Sequence, residues 1–357
     1  MQIAVSPYHM TTREPAAMAA LLLASRVVTI LPTPEVGMSA TDMRAAVSRA
    51  PRYAKFMESW AWSMPLWRSG LVCSSVDDDD ASSDVQAVSR RILRDDALAP
   101  LRAFIRPGWF EGDAAAADAP ERDDERDAPQ PPTFLDMVAG DLLKGGPDPA
   151  ISTTLAAGLD RFAARHGLMV ARSEASSVAQ RAEARLGRAL LAFNLPMVTE
   201  AEAGRVLHIR EELDEALGPL RVALANALEG LGIGEAPSKA RVDAVHAAAA
   251  RFTEVFDERW DEFEDDAGHD ECRLRRCTAT VIAMALPSDS VLRSSAAAVR
   301  ALTPRLAKVG GRRESATGKA IAEGVPAALP AVYDVTDARE VVSLIVKVVG
   351  NRSGRRR

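Results

Sequence analysis

In the first part of the chain, apolar residues fall into short blocks separated by proline or polar residues. Ile3–Val5 is a brief apolar run stopped by Pro7, which predicts a strand. Thr11-x-x-Glu14 fits a capping box, and Pro15 falls in the first turn, where its missing N–H is tolerated. The expected helix carries Met18, Leu21, Leu22 and Leu23 and ends near Ser25. Arg26–Leu31 is β-branched and ends at Pro32, so it predicts a buried strand. Strand, helix and strand in about 30 residues make one βαβ crossover with parallel strands. Loops Ser6–Thr11 and Pro32–Gly37 are then expected at one edge of a sheet.

Further along, Leu71–Ser74, Leu168–Ala171, Arg188–Leu195 and Arg276–Leu286 read as strands. Residues 41–49, 51–60, 83–94, 98–106, 134–144 and 151–166 read as helices. A helical stripe runs through Val206, Leu213, Leu217, Leu220, Leu224, Leu228 and Leu231, and Pro219 is expected to kink or restart it. The glycines 230, 232 and 234 supply a helix stop and a turn. Ser238 then caps a helix bearing Val242, Val245, Ala249, Phe252, Phe256 and Phe263 on one face. A short connection between two such helices predicts an antiparallel αα-hairpin. A helix capped by Ser288 or Asp289 is expected to run to about Leu302. Residues 337–349 carry conflicting signals. Val341, Val342, Ile345, Val346, Val348 and Val349 favour a strand, whereas Asp337-x-x-Glu340 tips the reading to a helix.

Between Glu111 and Pro132 the pattern breaks into charge, alanine and proline, with almost no larger apolar residue. Such a stretch buries too little surface to offset its ordering entropy and reads as a linker or solvated loop. The expected organisation is a small α/β domain with Trp-rich helices over 1–110 and the acidic, Pro/Ala-rich linker over 111–132. A helical α+β domain with the helix hairpin follows over 133–350, and a basic disordered tail over 351–357. The fold class is α+β or α/β, predominantly helical with short strands, with a small parallel βαβ unit at the N-terminus and the αα-hairpin in the C-terminal half.

Charge narrows the partners. A net charge of −6 disfavours nucleic-acid binding through overall charge, which leaves only the basic tail for such contacts. Three cysteines are too few for a disulfide framework, the start of the chain lacks signal-peptide character, and no apolar run approaches a membrane span of about 20 residues. The chain therefore reads as soluble and cytoplasmic, with no membrane partner. A protein partner or self-association is the expected mode of contact.

The loop after the first strand gathers the residue types that a phosphate or sugar site uses. Tyr8, His9 and Arg13 are the candidate catalytic residues, with His9 as general base. Thr11, Thr12, Thr33 and Glu35 are the candidate ligand-binding residues. The bland reading of the same loop is helix capping by Thr11 and Glu14. The run Asp77–Asp80 lacks calcium-loop spacing, and His269, Cys272 and Cys277 lack a fourth zinc ligand, so no metal and no cofactor are expected. Tyr53, Phe56, Trp60, Trp62 and Trp67 form an aromatic cluster read first as core and second as a contact platform. Arginines 273, 275 and 276 follow the acidic helix end at 257–266 and are placed to neutralise it.

No nucleophile elbow, Walker loop, zinc-protease helix or kinase motif set is present. The expected function is a non-catalytic intracellular binding or regulatory protein that uses the helical hairpin or the Trp-rich surface. The alternative is an enzyme acting on a phosphorylated or nucleotide-like ligand at the N-terminal βαβ loop edge. Whether the protein is an enzyme at all is left open by the sequence.

Overall fold

The computed structural model describes residues 1–31, 33, 34, 56, 58–75, 84, 85, 88, 89, 134–145, 148–174, 183–265, 274–295 and 339–350. The stretch 111–132, the run Asp77–Asp80, the helical readings over 41–49 and 98–106, His269, Cys272, Glu35 and the basic tail lie outside the described residues.

The expected N-terminal βαβ unit is present. Strand β1 (Gln2–Val5) is followed by a short helix α1 (Pro7–Thr11), helix α2 (Pro15–Leu23) and strand β2 (Arg26–Thr29). β1 and β2 are parallel, with Ile3 opposite Val27. One detail differs. The Thr11/Glu14 capping box does not form, because Ser6 as N-cap and Pro7 at N1 start a separate helix five residues earlier. Thr11 ends α1, and Glu14 is the N-cap residue of α2 without a side-chain capping bond. The segment expected as a loop over Ser6–Thr11 is thus largely helical.

A single sheet gathers seven strands in the order β3-β2-β1-β4-β7-β6-β5. The other five are β3 (Val72–Ser74), β4 (Met169–Ser173), β5 (Arg188–Thr199), β6 (Arg275–Pro287) and β7 (Glu340–Gly350). β1, β2, β3, β4 and β7 are mutually parallel, and β6 runs against both β7 and β5. The helix expected over residues 337–349 is therefore a strand. β7 occupies the gap between β4 and β6 with Val341, Leu344 and Val346 buried, an environment that β-branched side chains suit better than a helix would.

Alternation along β4 separates the two faces. Arg172 meets Asp160 of α5 (Pro149–His166), whereas Ser173 meets Glu14 at the start of α2. Helices thus cover both faces, and the short inner strands β1 and β2 are buried after their exposed first residues, Gln2 and Arg26. Helix α4 (Phe134–Leu143) packs on α5. The opposite layer holds α2, α6 (Ala203–Glu212) and α7 (Asp214–Leu228), with α8 (Lys239–Asp265) packed on α7 and β5. α7 and α8 are the expected αα-hairpin, joined by a turn in which Gly230 and Gly234 have φ of 71° and 79°. The helix break falls at Leu213 rather than at Pro219, which lies inside α7. Short helix α3 (Met64–Arg68) packs against β3 and α6, with Phe56, Trp60 and Trp67 buried as core.

Helix α2 has no polar face, and Ala16 to Leu23 are all buried between the sheet and α6/α7. Its last carbonyls cannot reach water and need partners. Arg210 of α6 donates to the Leu21 and Leu22 carbonyls, the latter at 2.9 Å, and Arg221 of α7 donates to the Leu22 carbonyl at 3.0 Å. Burial, and then the neighbouring Arg221, push Arg210 down to about 10, which leaves it charged at neutral pH.

Replacing either arginine by methionine should cost about 1–3 kcal/mol, the range for a buried carbonyl losing a partner. The double variant should cost more than the sum, since only then is the Leu22 carbonyl stripped of both side-chain donors. Urea denaturation of the four proteins measures both effects. A second expectation concerns Gly158 in α5, where alanine would ordinarily gain about 1 kcal/mol of helix propensity. Its Cβ would lie 2.6 Å from Val85 Cγ2 and 3.0 Å from Val85 Cα, so Gly158→Ala should lower the urea midpoint.

Candidate functional site

The chain runs from β1 outward to β2 and β3, then returns to place β4 on the other side of β1. The carboxyl ends of β1 and β4 therefore flank the point where strand order reverses, the usual ligand position in open α/β sheets. Val5 pairs with Ala171 there, so Ser173 projects just beyond the end of β1.

Local folding brings α1 and α2 back over this edge. Helix α1 ends in a Schellman motif, with Arg13 N–H on the Met10 carbonyl at 3.2 Å and Glu14 N–H on the His9 carbonyl at 2.9 Å. Arg13 takes the left-handed position with φ 52°, normally a glycine site. The reversal returns Glu14 beside His9, whose Nδ1 lies 2.7 Å from Glu14 Oε2. Ser173 Oγ donates to the same oxygen at 2.8 Å, and the Thr12 hydroxyl lies 3.2 Å from Oε1.

The His9 hydrogen bond is the largest influence on Glu14 and draws its carboxyl down to about 2, against burial and with help from Ser173 and Thr12. The carboxylate is thus ionised across the neutral range. The ionised Glu14 accepts a hydrogen bond from Nδ1–H, which leaves Nε2 of an uncharged ring as an acceptor. The His9 side chain is 21% exposed, enough for a ligand to reach it. An oriented imidazole of this kind can accept a ligand proton or hydrogen bond.

The other expected residues turn elsewhere. Tyr8 donates to Asp141 Oδ2 at 2.7 Å, and the Asp141 carboxylate also accepts the Asp148 N–H, tying α1 to α4 and to the start of α5. Burial first, then Asp141, raise the Tyr8 phenol well above its ordinary value, so it holds its proton. Arg13 pairs with Glu202 at 2.7 Å, donates to the Glu200 carbonyl at 3.2 Å and lies 4.9 Å over the Trp62 ring. Thr11 bonds back to the Pro7 carbonyl at 2.9 Å, and Thr33 is exposed. Of the expected residues, His9 and Thr12 therefore converge with Glu14 and Ser173. Sequence reasoning missed Ser173, whose approach depends on β1–β4 pairing, and took Glu14 only as a cap.

A second polar cluster lies on the opposite face. Arg172 reaches Asp160 at 2.6 Å, Glu183 at 2.8 Å and the Ser343 hydroxyl at 3.1 Å, and Ser290 donates to Glu183 at 2.7 Å. No group of three or more histidine, cysteine or acidic residues among the described residues is arranged to hold a metal ion. Cys277 is buried in β6, and burial pushes its thiol up to about 11. At the acidic end of α8, Arg276 pairs with Asp257 and lies over Phe256 and Trp260, while Arg275 lies 3.8 Å from Glu200. No helix among the described residues is long and apolar enough to cross a membrane.

A carboxyl held low in the folded state adds stability above its unfolded value and loses it as pH falls toward the folded one. Glu14→Gln should therefore lower the melting temperature at pH 7, and the gap from wild type should close between about pH 4.5 and 2. Melting curves of the two proteins across that range measure it.

No family model, curated protein or solved structure matches this chain.

Proposed function

We propose that the site at the carboxyl ends of β1 and β4 binds a small polar ligand, with His9 exchanging a proton or hydrogen bond with it. The observation that carries this reading is the convergence of His9, Glu14 and Ser173 at the strand-order reversal. Nothing in the chemistry of a purely structural cap needs an imidazole oriented by an ionised carboxylate and left partly open to solvent. The Trp-rich segment offers less support for a contact surface, since Trp60 and Trp67 are buried.

The same electrostatics inform the ligand class. Glu14 already places a negative charge at the start of α2, where a phosphate would otherwise be favoured. A phosphoester at that spot would meet like charge. The end of the ligand beside Glu14 is therefore a hydroxyl- or amine-bearing one, and any phosphate lies away from it.

A thermal-shift panel of nucleosides, sugars and their phosphoesters tests the proposal on wild type, His9→Ala and Ser173→Ala. Binding to wild type that weakens at least tenfold in His9→Ala supports it. A panel in which every compound that binds shifts all three proteins equally overturns it.

A further inference from the structure

The cluster around Arg172 holds an unbalanced charge. Two carboxylates, Asp160 and Glu183, face one guanidinium, with side-chain exposures of 1%, 10% and 13% respectively. Arg172 connects β4 to α5 through Asp160, to β7 through Ser343, and to the segment bearing Glu183, which Ser290 also engages. One oxygen, Asp160 Oδ2, is buried without a hydrogen-bond partner.

The surrounding charges are already committed. On α5, Arg165 pairs with Asp84, while Arg161 and His166 form no ion pair with Asp160 or Glu183. On β7, Lys347 pairs with Glu174, just past the end of β4. Beside Ser290, Arg293 pairs with Asp289, and Arg185 near Glu183 is exposed. Among the described residues no further cation therefore offsets the second carboxylate. An uncompensated buried carboxylate is costly and takes up a proton instead.

We propose that on the acid side of neutrality this cluster carries one proton, on Asp160, and so acts as a pH-set lock joining α5, β4, β7 and the segments that carry Glu183 and Ser290. Protonated Asp160 leaves Arg172 to Glu183, and the cluster is neutral. Loss of that proton on raising the pH puts two anions against one guanidinium and loosens the lock. Burial is the main cause that lifts the Asp160 carboxyl to about 7, with Arg172 opposing and Glu183 adding to it. A carboxyl raised in the folded state makes stability fall with rising pH between its unfolded and folded values, here from about 3.8 to about 7, and leaves it level above.

Urea denaturation of the full chain at pH 5, 6, 7 and 8 tests this, with wild type, Asp160→Asn and Glu183→Gln compared. The wild-type unfolding constant should rise about tenfold per pH unit relative to Asp160→Asn between pH 5 and 7, and the difference should level off by pH 8. Glu183→Gln should move that slope to lower pH, because one of the two anions is gone. Parallel curves for wild type and Asp160→Asn overturn the proposal. So does a Glu183→Gln curve that coincides with wild type, and this comparison stands even if Asp160→Asn does not fold.

Discussion

The structure depends on burying helix α2 whole. A nine-residue helix with no polar side chain between Pro15 and Leu23 gains by being enclosed on all sides, and the sheet together with α6 and α7 encloses it. Enclosure removes water from its carboxyl end, so the surrounding elements must supply the missing polar partners there. At the carboxyl end two arginines from different helices do so, which couples the placement of α6 and α7 to that of α2. At the amino end the chain must reverse sharply, and that reversal puts Glu14 and His9 together. The candidate site is thus built from the same turn that delivers the core helix to its place.

Where local patterns and fold agreed, the sequence was readable. The all-apolar composition of α2 and the β-branched run after it announced the βαβ unit, because both periodicities are properties of short segments. The paired stripes of α7 and α8 were equally plain. Residues 340–350 misled because Glu340 is in the N3 position of a credible capping box, yet its carboxylate instead meets Arg188 and the Gly234 N–H across the sheet end. Thr11 misled for a similar reason: Ser6 and Pro7 claimed the helix start first. His9 and Thr12 could be found by residue type. Ser173 could not, since it lies far along the chain and reaches Glu14 only through the pairing of β1 with β4.

Backbone preference gives an independent view of the same edge. Arg13 and Glu200 are the non-glycine residues with left-handed φ among those described, and they bond to each other. Glycine would serve either turn at lower cost. The arginine side chain gains Glu202 and the face of Trp62 in exchange, so it fastens the turn holding His9 and Glu14 to the far end of β5.

The place of β7 has a bearing on how the chain is made. The strand that joins the parallel half of the sheet to its antiparallel half is the last of the seven to leave the ribosome. Until residues 340–350 emerge, β4 and β6 each present an open row of backbone donors and acceptors. The nascent chain carries the open edge of β4 while residues 174–339 are made, and that of β6 while residues 288–339 are made. It is during that interval, rather than in the finished protein, that the molecule is most exposed to pairing with the wrong strand.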